Sequence, residues 1–330
     1  MIPVKKVAMR RFVCPFLTLA LFSIAFVSLA SAQTIQRIVF FGDSLSDSGN
    51  NYIFTGESTR RPFPLESTFS YDIGGHHYSN GATWAEQVSS ALHILNSGKP
   101  SLRHPGVFTN YAVGEARGRP GSPIFPNFDL TTQVAHFLSD FKGQAPANTL
   151  FVIWIGGTDI QDALNALSVD PSGATSTVIL EDALAAIGTN IEALYGTGAR
   201  EFLIVSVPDL GKTPLARYLG THENPLIPLL ASQLTGEFDL GLQAGTAPFA
   251  GLPGMKYFHF FEVNALLDQA IASPGSFGLT DVVDSCTVPF VMAHAICTDP
   301  GSYLFWDGTH PTTAGHAIVA NAVLSLLPPQ

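Results

Sequence analysis

Between residues 33 and 330, short runs of apolar and β-branched residues alternate with longer segments whose apolar positions recur at helical spacing. The runs at 35–41, 107–113, 149–155, 201–207 and 256–260 are the strand candidates. Most are apolar at nearly every position instead of every second one, as Leu150–Ile155 shows, which suits strands covered on both faces. Helical patterning marks 81–95, 129–141, 177–197, 223–242, 261–272 and 312–326, the last preceded by Pro311 as an early-turn proline. Strand–helix alternation of this kind predicts a three-layer α/β/α sandwich around a mostly parallel, five-stranded sheet. Sites in such sheets form beyond the carboxyl ends of strands. Ser44, Gly114, Thr158 and Asp209 each fall at or just past such an end.

The first 32 residues break this pattern. Lys5, Lys6, Arg10 and Arg11 precede an uncharged apolar stretch from Phe12 to Ala30, which closes on Ala30, Ser31 and Ala32. A basic segment, an apolar segment and a small-x-small site form a signal peptide, with cleavage expected between Ala32 and Gln33. An uncleaved anchor is the alternative, because the apolar run is long for a signal. The expected mature chain is one domain, 33–330, exported to the periplasm or beyond; no linker-like tract divides it. Its charges exclude nucleic acid as a partner. The whole chain carries a formal charge of −10, and losing the basic leader makes it more acidic. Only Cys286 and Cys297 remain after cleavage, and an even pair in an exported chain favours a disulfide. Closing so short a loop contributes about 3 kcal/mol and braces the segment just before Asp307. No metal or cofactor is expected: His294 offers the cysteines one further ligand, and phosphate-loop and dinucleotide fingerprints are absent.

Residues 38–50 carry the first candidate chemistry. An apolar run ends in Gly42, Asp43 and Ser44, a turn that lifts one hydroxyl clear of a sheet edge. A serine hydroxyl attacks a carbonyl only when a base takes its proton. Asp307 and His310, three residues apart, supply a base and a carboxylate to orient it. Other polar residues have bland readings. His76 and His77 decorate a Gly-rich loop, Asp159 and Asp162 suit a helix start, and His316 is a structural residue of the last helix. The absence of Gly-x-Ser-x-Gly disfavours the other large α/β lipase class.

Four segments together resemble the GDSL, or SGNH, hydrolase superfamily, and most closely its longer secreted lipolytic branch. They are Phe41–Asn50, Asn110–Ala116, Ile155–Asp159 and Asp307–Pro311; Tyr78–Gly81 followed by Trp84 also fits that branch. The resemblance spans nearly all of residues 33–330. It implies a flavodoxin-like sandwich with Ser44 as nucleophile, His310 as base and Asp307 as its orienter. Two departures concern the oxyanion hole. Family members carry Gly-Gly where this chain has Gly114 and Glu115, and Asn where it has Thr158. Amides of Ser44 and of Gly114 or Glu115, with the Thr158 hydroxyl, are the expected donors. The added carboxylate opposes an oxyanion unless it points to solvent, and threonine reaches less far than asparagine.

The expected activity is carboxylic ester hydrolysis through an acyl-enzyme, on small-molecule or lipid esters, with transient contact to lipid surfaces. Carbohydrate O-acetyl esterase or acyltransferase activity, and a catalytically degenerate binding protein, are the alternatives. The Pro/Phe-rich stretch at 61–69 is the candidate acyl pocket. The physiological ester and the oligomeric state are not legible in the sequence.

Overall fold

The computed structural model describes residues 1, 3, 35–54, 77–121, 128–287 and 297–328; the rest of the leader, 61–69 and His76 lie outside them. Four parallel strands, β1 (Arg37–Gly42), β2 (Thr149–Trp154), β3 (Glu201–Val205) and β4 (Tyr257–Phe261), pair in that order. The helices are α1 (Asn50–Phe54), α2 (Trp84–Ala91), α3 (Leu130–Asp140), α4 (Gly157–Ala166), α5 (Ala174–Gly196), α6 (Pro214–His222), α7 (Ile227–Thr246), α8 (Val263–Ala272) and α9 (Thr313–Leu326). Alternate strand residues serve opposite faces of the sheet. Val39, Phe41, Phe151, Ile153, Phe202 and Ile204 pack with α3, α4, α5 and α7. Ile38, Phe40, Leu150, Val152, Leu203 and Val205 pack with α2, α8 and α9. Both faces are thus dry, which explains the continuous apolar character of these strands.

The expected fifth strand is a correction. Residues 107–113 run beside β1 as extended chain with one isolated bridge, Asn110 to Phe40. Hydrogen bonds from Phe40 N to Thr109 O (3.0 Å), Tyr111 N to Phe40 O (2.8 Å) and Val113 N to Gly42 O (3.1 Å) hold it there. Its outer edge meets irregular chain and a side chain in place of a long strand: Asn110 also bridges Pro100, Ser101 N donates to Asn110 O (2.8 Å), and Asn50 Nδ2 donates to Asn110 O and Ala112 O, both at 2.8 Å. Asn50 thereby helps to cover the sheet edge and ties it to the start of α1.

A second, small parallel sheet also escapes the sequence reading. It pairs β5 (Asp281–Ser285) with β6 (Tyr303–Phe305). The expected disulfide is present: Cys286 bonds Cys297. Cys286 N and Thr287 N donate to Phe305 O (2.9 Å) and Trp306 O (2.8 Å). The cystine and small sheet therefore grip the residues immediately before Asp307.

Candidate active site

Ser44 follows β1 in a turn closed by Ser46 N and Asp47 N, which donate to Asp43 O at 3.1 and 3.0 Å. Gly42 makes that turn possible. It pairs with Trp154 in the sheet, and a Cβ there would stand 2.4 Å from Trp154 O. Gln133 of α3 locks the strand end, accepting from Gly42 N (2.9 Å) and donating to Gly42 O (2.8 Å).

A second tight turn carries Asp307 and His310. Trp306 N donates to His310 O (2.7 Å), and Asp307 Oδ1 accepts from Thr309 N (2.8 Å) and His310 N (2.7 Å). The helix α9 begins directly after, with Thr312 Oγ1 accepting from Gly315 N. His310 Nδ1 lies 2.8 and 3.0 Å from the two Asp307 oxygens. A nitrogen facing only carboxylate oxygens carries the proton, so Nε2 is left as acceptor. Ser44 Oγ lies 2.8 Å from Nε2 and donates to it. Burial alone would raise the Asp307 pKa, but attraction to His310, its hydrogen bond and the two amides hold it below the usual carboxylate range. Asp307 is thus ionised where the imidazole needs a fixed negative partner.

The sequence reading overlooks three supporting groups. Asp47, 1% exposed, accepts from Gly49 N, Asn50 N, Asn51 N and Gly114 N at 2.6 to 3.0 Å. This carboxylate bolts the nucleophile turn to the 110–116 segment; an Asp followed by Gly and Asn at a helix start was its sequence signal. Tyr78 lies between the same loops and the base. Its hydroxyl accepts from Asn51 Nδ2, its ring centroid is 5.0 Å from that of His310, and a Cβ on Gly114 would approach its oxygen to 2.1 Å. Arg117 and Arg119 pair with Asp159 and Asp162 of α4, clamping the segment after Glu115 to the helix that bears Thr158.

Ser44, Glu115, Thr158 and His310 line one cleft together with Asp43 and Gly157. Glu115 adopts φ 65°, a left-handed conformation that glycine tolerates better, and this locates the second glycine of the family pair at position 115. Gly114 is not part of the cleft wall, and its amide is engaged by Asp47. Thr158 stands in the first turn of α4, whose amide dipoles face the cleft at their positive end. Asp43 is buried, which pushes its pKa to about 6 against the opposing Leu45 amide and His310. Asp209 belongs elsewhere: its carboxylate accepts from Gly211 N and Ser232 Oγ and pairs with Lys212. His77 is also not loop decoration. It is buried, with Nε2 3.1 Å from Glu86 of α2. The apolar cleft wall comes from Leu164, Leu210, Leu215, Leu219 and Ile227, so α6, which the sequence reading lacked, shapes it.

His316 is buried in α9 as expected. Burial first, then the charges of His310 and His77, push its pKa down to about 3 against the opposing pull of Asp307. Its folded pKa lies below its unfolded value, so the neutral form's stability is complete above about pH 6.5 and is lost as pH falls. Between pH 7 and pH 5 this amounts to about 2 kcal/mol. Urea denaturation of His316→Gln at both pH values should show the wild-type loss reduced by that amount; an equal loss would contradict the assignment.

The family description GDSL-like Lipase/Acylhydrolase matches residues 38–323. The thermolabile hemolysin of Vibrio parahaemolyticus is 28% identical over 88% of this chain, which spans 63% of the hemolysin's length. A GDSL esterase/lipase of Arabidopsis thaliana is 27% identical, covering 88% of this chain and 89% of its own. The phosphatidylcholine-sterol acyltransferase of Aeromonas hydrophila is 27% identical, covering 95% and 84%.

Proposed function

The chain belongs to the GDSL-like lipase/acylhydrolase family and is an ester-hydrolysing enzyme, and from that premise we propose that Ser44, His310 and Asp307 form its catalytic triad. The observation carrying this reading is the unbroken hydrogen-bonded chain from Ser44 Oγ through His310 to Asp307, opening on a cleft with an apolar wall. Ser44 Oγ attacks the ester carbonyl carbon as its proton passes to His310 Nε2. The carbonyl π electrons move to oxygen, where the Ser44 and Glu115 amides and the Thr158 hydroxyl donate to the oxyanion. His310 returns the proton to the leaving alcohol oxygen as the C–O bond breaks. Water, deprotonated by the same nitrogen, then releases the acid from Ser44.

Export fits this reading, because the leader pattern ends at Ala32 and a cystine supports the base-bearing segment. The cleft wall of leucines and Ile227 favours an alkyl acyl chain over an acetyl group on a polar glycan. Hydrolysis rates for p-nitrophenyl esters from acetyl to decanoyl, beside acetylated xylan, test that preference. Rates rising with chain length support it; release of acetate from xylan with no response to acyl length would favour the carbohydrate O-acetyl esterase. Ester formation with an added alcohol would identify acyl transfer.

Thr158 replaces a longer amide donor, and among the described residues no side chain or backbone group bonds its hydroxyl. Losing an oxyanion donor costs about 10²–10³ in turnover. Thr158→Asn should recover part of it, raising kcat about tenfold with KM little changed. Steady-state kinetics with one activated ester decide this, and an unchanged or lower kcat would show that threonine is already the competent donor.

A further inference from the structure

A second cavity adjoins the cleft next to the His310 turn, where Thr309 lines both. Its walls are hydrocarbon: Trp154 at the end of β2, Leu266 and Ala270 of α8, Leu304 of β6 and Ile318 of α9. Among the described residues Asp209 is the one carboxylate on it, and its oxygens are committed to Gly211, Ser232 and Lys212. Leu45, Pro208, Thr213 and Thr309 line both spaces, so the two share a wall built on the residues next to Ser44 and His310.

We propose that this cavity binds the hydrocarbon part of the ester's alcohol moiety, while the cleft holds the acyl chain. The inference rests on the triad assignment. In the second half of acylation, His310 Nε2 must give its proton to the alcohol oxygen while the electron pair of the C–O bond leaves with that oxygen. The alcohol therefore departs on the side of the His310 turn. Thr309 and Pro311 flank His310, and both line the second cavity. The groups on the oxyanion side, Glu115, Gly157 and Thr158, line only the cleft. A wall that is mostly hydrocarbon, with its carboxylate already paired to Lys212, selects alkyl chains over sugars or charged headgroups.

The test holds the acyl group constant. Acetates of ethanol, butanol and hexanol are compared by acetate release in the wild type, Ala270→Leu and Leu266→Trp. Each buried CH₂ contributes about a fourfold gain, so hexyl over ethyl acetate should reach about 10² in kcat/KM for the wild type. Both substitutions fill the cavity and should bring that ratio below about ten. Ala270 is almost fully buried, so Leu266→Trp, at a half-buried position, decides the matter if Ala270→Leu does not fold. Leu219→Ala, in the cleft wall, should alter the response to acyl length and leave the alcohol ratio in place. A flat alcohol series in the wild type, or a steep one surviving both fillings, overturns the inference. Failure of the underlying triad has a different signature: no acetate from any ester and no covalent capture of Ser44 by a fluorophosphonate, a result that removes both.

Discussion

Asp307→Asn should lower kcat about 10⁴-fold while leaving the fold and substrate affinity nearly intact. The carboxylate does two jobs at different atoms. Oδ1 accepts from Thr309 N and His310 N and so shapes the turn, while both oxygens face His310 Nδ1. Asparagine keeps an oxygen for the amides, so the turn survives. Its NH₂ cannot accept from Nδ1–H, so the imidazole either loses its partner or shifts its proton to Nε2. In the second case the nitrogen facing Ser44 becomes a donor and cannot take the serine proton. Kinetics paired with thermal melting separate this from misfolding. A loss below tenfold in a well-folded variant would mean that Asp307 only shapes the turn.

The other large effect is on stability. Gly42→Ala should cost about 3 kcal/mol, because its Cβ would press on backbone, at 2.4 Å from Trp154 O, where no side chain can turn aside. β1 and β2 would have to separate at the rung where Gly42 faces Trp154, one step before the Ser44 turn. Activity should fall with stability, since the same displacement moves Ser44 from His310. A chemical-denaturation midpoint within error of wild type would show that the strands can yield there.

β1, β2 and β3 were legible because each is buried on both faces and writes that burial as an apolar run, while β4 is half-buried over its first four residues but keeps an aromatic-rich run. The segment at 107–113 has the same composition, yet its outer side meets only an isolated bridge to Pro100 and the Asn50 side chain, and contacts 60 and 62 residues apart leave no mark in local periodicity. The extent of α4 and the whole of α6 went unread for different reasons. α4 starts inside a motif that draws attention to chemistry, and α6 is a short, half-buried helix begun by Pro214 and capped by Thr213. That second omission mattered, since α6 supplies Leu215 and Leu219 to the cleft wall, whereas the Phe-rich candidate at 61–69 lies outside the described residues.

The proposed triad of Ser44, Asp307 and His310 stands out in the sequence because nucleophile, base and orienter each need one residue type. Supporting residues were harder. Asp47 looks like any turn aspartate, and only the fold reveals that its fourth donor, Gly114 N, comes from another segment. The choice between Gly114 and Glu115 likewise needed geometry: Glu115 has the left-handed backbone and the place in the cleft. The Arg117/Arg119 pairing with Asp159/Asp162 gives the two acidic residues a partner as well as a helix dipole.

The central claim is that Ser44 is a nucleophile activated by His310. Intact-mass and peptide analysis after treatment with a fluorophosphonate tests it most directly. One phosphonyl adduct per chain is expected, located on Ser44, formed slowly or not at all in His310→Ala and absent in Ser44→Ala. No adduct on the folded protein, or an adduct that persists in Ser44→Ala, would contradict it.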